Sequence, residues 1–238
     1  MTSASTFPGG IGVSELAVYD TAAVDGLSGG SPHMHLVSTE AYAVIGGRGA
    51  LQTIDATGFR ETPLSSGSVV WFTPGTIHRA INDGELRVMV LMSNAGLPEA
   101  GDAVMTFPPE HLVDAETYAA AASLDGPGGT AERGQRAERR RDLAVQGFLR
   151  LRDAVRDGRL EELRAFYAAA GALVRDASAE WGALVEEGPL AQARRSLDLA
   201  GRVAEGDVSH LALASVTAAP ERAAEAAFGM CGRLHPRL

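Results

Sequence analysis

The sequence predicts a β-then-α fold, an antiparallel β-barrel or sandwich followed by a helical C-terminal region. Three observations predict it. Up to about residue 95, short β-branched or aromatic runs are cut by Gly, Pro, Asn or Asp. Beyond about residue 108, apolar residues recur at threes and fours, which is one face of an amphipathic helix. Past that change of period, the Gly- and Pro-rich stretch "SLDGPGGTAERGQ" at 123–135 reads as a linker. The expected division is residues 1–107 for the β domain and 108–238 for the helical extension.

The strand candidates in order are "GVSELAVYD", "AYAVIGG", "GALQTID", "GSVVWFTPG", "IHRAIN" and "LRVMVLM". Turns fall at "GGRG" (46–49), "ATGF" (56–59) and "NDG" (82–84), each with a glycine available for positive φ. In the second half a helix over 136–156 carries Leu143, Phe148, Leu151 and Val155. A second stripe runs Leu160, Leu163, Phe166, Tyr167, Ala170, Leu173, Val174, Ala177, Trp181 and Leu184. It either lies on the barrel as a lid or buttress or pairs with a second chain. Shorter helical patterns follow near 189–204 and 220–232.

The chain has 238 residues, 45% hydrophobic and 21% charged, enough to bury a core. Its formal charge of −9 gives no general attraction for phosphate backbones or anionic lipid, so neither nucleic acid nor membrane is an expected partner. Every basic residue is an arginine. Without lysine, a Schiff-base lysine, a pyridoxal-phosphate anchor and a Walker A lysine are excluded. Together with the Ala, Gly and Leu richness, this points to a GC-rich bacterial genome. The single cysteine, Cys231, has no intrachain disulfide partner and reads as a small buried hydrophobe. The start "MTSASTFPGGIG" lacks a signal-peptide pattern and no apolar run is long enough to span a bilayer, so a cytoplasmic location is expected. The cluster "RGQRAERRRD" (133–142) interleaves acids with arginines and reads as a solvated helix face; no helix-turn-helix signature accompanies it.

The chemistry concentrates in "SPHMHLVSTEAYAVIGG", residues 31–47. On a strand, residues i and i+2 share a face, about 7 Å apart by the strand rise. His33 and His35 can therefore converge on one ion, and "LVST" lets the chain turn and bring up Glu40. Two histidines and a carboxylate on one face form a metal site with open coordination positions. In "GSVVWFTPGTIHRAIN" (67–82), His78 follows a Pro-Gly turn and supplies a fourth ligand.

These two segments resemble the cupin superfamily over roughly residues 28–95. The first motif, HxH, four residues, Glu, six residues, Gly, is met by His33, His35, Glu40 and Gly47. The second is met by Gly67, Gly75, His78 and Asn82. Thr73 stands where the second motif has proline, with Pro74 next, and Leu27 where the first has its leading glycine.

The resemblance implies a small jelly-roll-like barrel with one divalent ion (Fe, Mn, Ni or Zn) bound by His33, His35, Glu40 and His78. It also implies a small-molecule substrate or ligand and a homodimer. Metal-dependent dioxygenase, sugar isomerase or epimerase, and lyase activities all occur on this fold, as do non-catalytic metabolite sensors. A three-His, one-Glu site suits Fe(II), which favours oxidoreductase chemistry.

Alternation from Glu40 places Tyr42 and Val44 in the lumen, making Tyr42 the candidate proton donor or shuttle. Either Val70 and Phe72 or Val69 and Trp71 face inward. Gln52 and Trp71 are the candidate substrate contacts, and Met89 or Leu91 an apolar wall. Arg79 should point away from the metal and lie on the surface. His111, His210 and His235 read as ordinary surface or structural histidines.

Overall fold

The computed structural model describes residues 7–219, 221 and 225–237. Strands come first: β1 (Gly12–Val18), β2 (His33–His35), β3 (Glu40–Asp55), β4 (Gly58–Ser65), β5 (Val69–Phe72), β6 (Ile77–Met92) and β7 (Ala103–Met105). Helices follow: α1 (Ala115–Ala122), α2 (Thr130–Arg156), α3 (Leu160–Leu173), α4 (Trp181–Val185) and α5 (Ala191–Ala204). The chain then rejoins the sheet through β8 (Ala227–Phe228) and β9 (Gly232–Pro236). The β-then-α order is as expected, but the helix expected over 220–232 is not seen. Positions 220 and 222–224 lie outside the described residues, and the strands β8 and β9 begin within or just after the rest. Glycine decides the last of these. Gly232 passes so close to Ala17 that a Cβ would collide with the Ala17 carbonyl, and β9 pairs there with β1.

Every strand pairing is antiparallel, in the order β4-β3-β6-β1-β9-β8, with β2 on β6 and β7 and β5 on β3. The long β3 and β6 pair along most of their length, with register shifts between Val44 and Gly49. Gly47 makes the shift possible: its φ is 72°, and a Cβ there would collide with the Glu85 carbonyl. β5 pairs with residues 40–43 of β3 and β4 with residues 48–55, so the sheet curls around a lumen. The shift also changes which residues face inward. Val44 opposes Val88, but beyond the bulge Leu51 opposes Ala80 and Thr53 opposes His78.

Two apolar cores result. Leu16, Tyr42, Val44, Leu51, Phe72, Val88 and Val90 fill the lumen, while Ile54, Ile77, Phe107, Phe148, Leu163 and Phe166 pack between the outer sheet face and the helices. Of the two uses open to the 160–184 stripe, this is the buttress. The stripe is not one helix: α3 ends at Leu173 and a 3-10 turn at Ala177–Glu180 leads into α4. Even so, Leu163, Phe166, Ala170, Val174 and Trp181 all reach the same core, and the Trp181 indole N–H donates to the Ala100 carbonyl at 3.0 Å.

The stretch read as a linker divides. Residues 123–129 are loop, but Thr130 opens α2, where the Glu132 carboxylate accepts from the Gly129 amide at 2.8 Å. The arginine cluster is a solvated face only in part, with Arg133 and Arg139 exposed. Arg141 is buried and donates to the Thr21 and Ala22 carbonyls, each at 2.8 Å, and Arg140 donates to the Gly229 carbonyl at 2.8 Å. These guanidiniums tie α2 to the segment after β1 and to the β8–β9 turn. Among the described residues no helix is long and apolar enough to cross a membrane.

Candidate metal centre

Strand β2 is buried throughout, and its alternation sorts its residues: Met34 joins the core under the helices while His33 and His35 turn to the lumen. The turn that follows is organised by Asp102, whose carboxylate accepts from the amides of Leu36, Val37 and Ser38 at 3.0, 2.8 and 2.8 Å. That turn delivers Glu40 as the first residue of β3. His78 sits on β6 directly opposite His33.

One ligand atom from each of His33, His35, Glu40 and His78 lies within 4.8 Å of the others, and all four residues are buried. Glu40 Oε2 stands 3.2 Å from His35 Nε2 and 3.1 Å from His78 Nε2. These are close contacts without hydrogen-bond geometry, and all three atoms lack a hydrogen-bond partner among the described residues. Buried polar atoms are rarely left so, because each orphan costs about 1–3 kcal/mol. Lone pairs directed at a shared point account for all three at once.

The outer ring nitrogens support this. His33 Nδ1 is 3.0 Å from the Ser31 carbonyl and His78 Nδ1 is 3.2 Å from the Thr76 carbonyl. A carbonyl can only accept, so Nδ1 carries the proton and Nε2 presents the lone pair. His35 Nδ1 faces the Asp102 carboxylate at 3.7 Å.

Electrostatics give each group its form. Burial, followed by the neighbouring His78 and His35, holds His33 well below its ordinary pKa. Burial also opposes charge on His35, but Asp102 and Glu40 outweigh it and raise this imidazole to about 9, so a metal bound there would displace the Nε2 proton. Burial pushes Glu40 up, yet His78 and His35 prevail and hold its carboxyl well below the usual range. An ionised carboxylate among imidazoles is a donor set that fits a divalent metal.

The other candidates fare unequally. Tyr42 does face the lumen, but it is fully buried against Phe72, with its hydroxyl 3.9 Å from Cys231 Sγ. Burial, then Cys231 and Glu40, raise its pKa well above the ordinary value. Of the two phases open to β5, Phe72 is inward, its ring 4.2 Å from that of His78. Trp71 is 71% exposed and is not brought to the metal cluster. Nor is Gln52: the bulge reverses the alternation, so Gln52 opposes Arg79 on the other face and donates to Glu61 at 2.9 Å. Arg79 points away as expected but is fully buried rather than on the surface, donating to Asp25 at 2.6 Å and to the Gly30 carbonyl at 3.2 Å. Met89 and Leu91 give way to Val90 and Met92, which line the cavity beside the cluster. His111, His210 and His235 lie apart from the cluster.

The cluster opens onto a cavity of about 340 Å³ that touches His33, His35 and Glu40 and is walled by Leu16, Val90, Met92, Met230, Cys231 and Leu234. Two of its features had no local signal in the sequence. Asp102 reaches the site from a segment 64 positions beyond Ser38. Met230, Cys231 and Leu234 arrive only because the C-terminal strand returns, placing Cys231 Sγ 3.8 Å from His33 Nδ1.

The cupin domain family model matches residues 23–94. No curated protein sequence matches the chain significantly. Among solved structures, a double-stranded β-helix protein from Klebsiella pneumoniae is 18% identical, with 34% of this chain and 62% of that one covered and a TM-score of 0.25. Pac13, a nucleoside dehydratase, is 14% identical over 42% of this chain and 71% of its own, with a TM-score of 0.32. WlaRA, a TDP-fucose-3,4-ketoisomerase from Campylobacter jejuni, is 12% identical over 38% and 64%, also at 0.32. The chain thus spans less than two thirds of the length of the first and third of these. Residues 23–94, the segment that matches the cupin domain model, carry all four clustered side chains, His33, His35, Glu40 and His78.

Proposed function

We propose that His33, His35, Glu40 and His78 hold one divalent metal ion and that the chain is a metal-dependent enzyme acting on a small organic molecule. One observation carries this reading: four buried ligand atoms converge at the edge of a cavity, three of them without hydrogen bonds. A bound iron, manganese, nickel or zinc ion supplies Lewis acidity toward a substrate oxygen pair, and iron adds O₂ chemistry. Oxidoreductase chemistry is the first assignment; isomerase, epimerase or lyase chemistry uses the same site.

The chain's own residues have distinct tasks in this proposal. The Ser31 and Thr76 carbonyls fix the tautomers of His33 and His78. Asp102 orients His35 from behind. Tyr42, sealed beneath Glu40, positions that carboxylate rather than touching the substrate. The largely apolar walls limit the water beside the cluster. Pairing with a second copy, implied by the family, belongs to the same proposal and is read by light scattering.

A second reading is a metabolite-binding sensor. It is favoured by Tyr42 and Gln52 lying off the cavity wall, which leaves few acid–base groups beside the cluster. The test separates the two: metal-loaded protein is incubated aerobically and anaerobically with a library of small oxygen-chelating compounds, followed by mass spectrometry. Metal-dependent turnover that disappears in Glu40→Gln supports the enzyme. Compounds retained without conversion support the sensor.

A further inference from the structure

We infer that the molecule received beside the metal is amphipathic, with one oxygen-bearing end for the cluster and an uncharged, apolar body that carries no phosphate or second carboxylate. This inference rests on the metal reading above. The cavity walls support it. Beyond the cluster the surface is built from Leu16, Val90, Met92, Met230, Leu234 and Pro236. Among the described wall residues, the remaining side chains that can hydrogen-bond are Ser14, Glu99 and Cys231. No arginine is among them, and the sequence contains no lysine.

A phosphate or carboxylate on the body of the ligand would have to surrender its hydration without a cation or a row of donors to replace it. Glu99, exposed at the rim, would add repulsion. A sugar would strand most of its hydroxyls against methyl and methylene groups. An apolar body gains from every group it buries there. The volume of about 340 Å³ lies at the small end of ligand pockets, which run from roughly 300 to 1,000 Å³, and so sets the size of the guest.

The test uses zinc-loaded protein titrated by calorimetry with three hydroxamates: acetohydroxamate, hexanohydroxamate and the monohydroxamate of adipic acid. The last has the same chain length as the second but ends in a carboxylate. Hexanohydroxamate is expected to bind more tightly than acetohydroxamate by up to about fourfold per buried methylene, and the adipic compound to lose that gain. Equal affinity of the adipic compound and hexanohydroxamate, or no gain with length, would overturn the inference.

Met92→Arg adds a cation to the wall. With zinc stoichiometry retained as the sign of a folded site, it should tighten the adipic compound at least tenfold relative to hexanohydroxamate. An unchanged adipic affinity counts against the inference. Metal-free protein is titrated in parallel with hexanamide and hexanoate. If zinc is not held, the metal reading falls by itself, and binding of hexanamide without hexanoate still upholds the wall chemistry. Equal binding of the two removes it.

Discussion

A carboxylate with no formal share in metal ligation decides much of this site. Asp102 accepts three backbone amides that shape the 36–38 turn and lies 3.7 Å from His35 Nδ1, so it fixes the turn beside His35 and sets an anion behind its ring. Asp102→Asn should therefore weaken metal affinity by about 10- to 100-fold, the usual cost of losing an outer partner, as measured by competition with a chromophoric chelator. A second prediction concerns Arg79 and Asp25, an ion pair buried beside the lumen strands. Asp25→Asn leaves a buried guanidinium without its anion and should cost on the order of 3 kcal/mol in urea unfolding at neutral pH. Burial raises the Asp25 pKa, but the Arg79 hydrogen bond and charge outweigh it and the folded-state value is depressed. Its contribution is therefore present above the ordinary carboxylate pKa and is lost as pH falls through the folded value. The stability gap between wild type and Asp25→Asn should close on acidification; a constant gap down to pH 2 would contradict the assignment. The convergence of His33, His35, Glu40 and His78 was legible in the sequence because motif spacing is local and strand alternation is strict. Asp102 and the burial of Arg79 were not, since both depend on segments remote in the chain that fold over the strands.

The strands and helices show where local patterns stop short. Alternation from Glu40 correctly places Tyr42 and Val44 in the lumen, then fails at Gln52 because the register shifts between Val44 and Gly49 reverse the phase. Glycine turns were read at 46–49, but a turn and a bulge within one continuous strand look alike in sequence. Gly47→Ala should cost on the order of 2 kcal/mol from the left-handed backbone alone, and more from the collision with Glu85, read as a lowered denaturation midpoint. In the helical half, the 3.6-residue period found the buried face of α3 but not its break after Leu173, because the face continues through the turn. Phe148 is fully buried and meets Phe59 of β4 at a ring distance of 6.3 Å. Phe148→Ala should destabilise the fold by about 3–5 kcal/mol, and an effect below 1 kcal/mol would mean that the helices do not buttress the sheet.

At the level of the molecule, the first and last strands lie side by side, with β9 pairing along β1. Composition and period predicted a barrel followed by helices, and that order holds. They gave no hint that the end of the chain closes the cavity, because β8 is two residues long and β9 five, too short to carry a period. This lumen is proposed to hold a metal ion. The direct measurement is elemental analysis of protein purified without added metal or chelator, beside a His33→Ala, His78→Ala double variant of verified fold. Near-stoichiometric iron, manganese, nickel or zinc in the wild type that vanishes in the variant is the predicted result. No metal in either, even after reconstitution, would contradict the account and leave a barrel that binds its ligand through the walls alone.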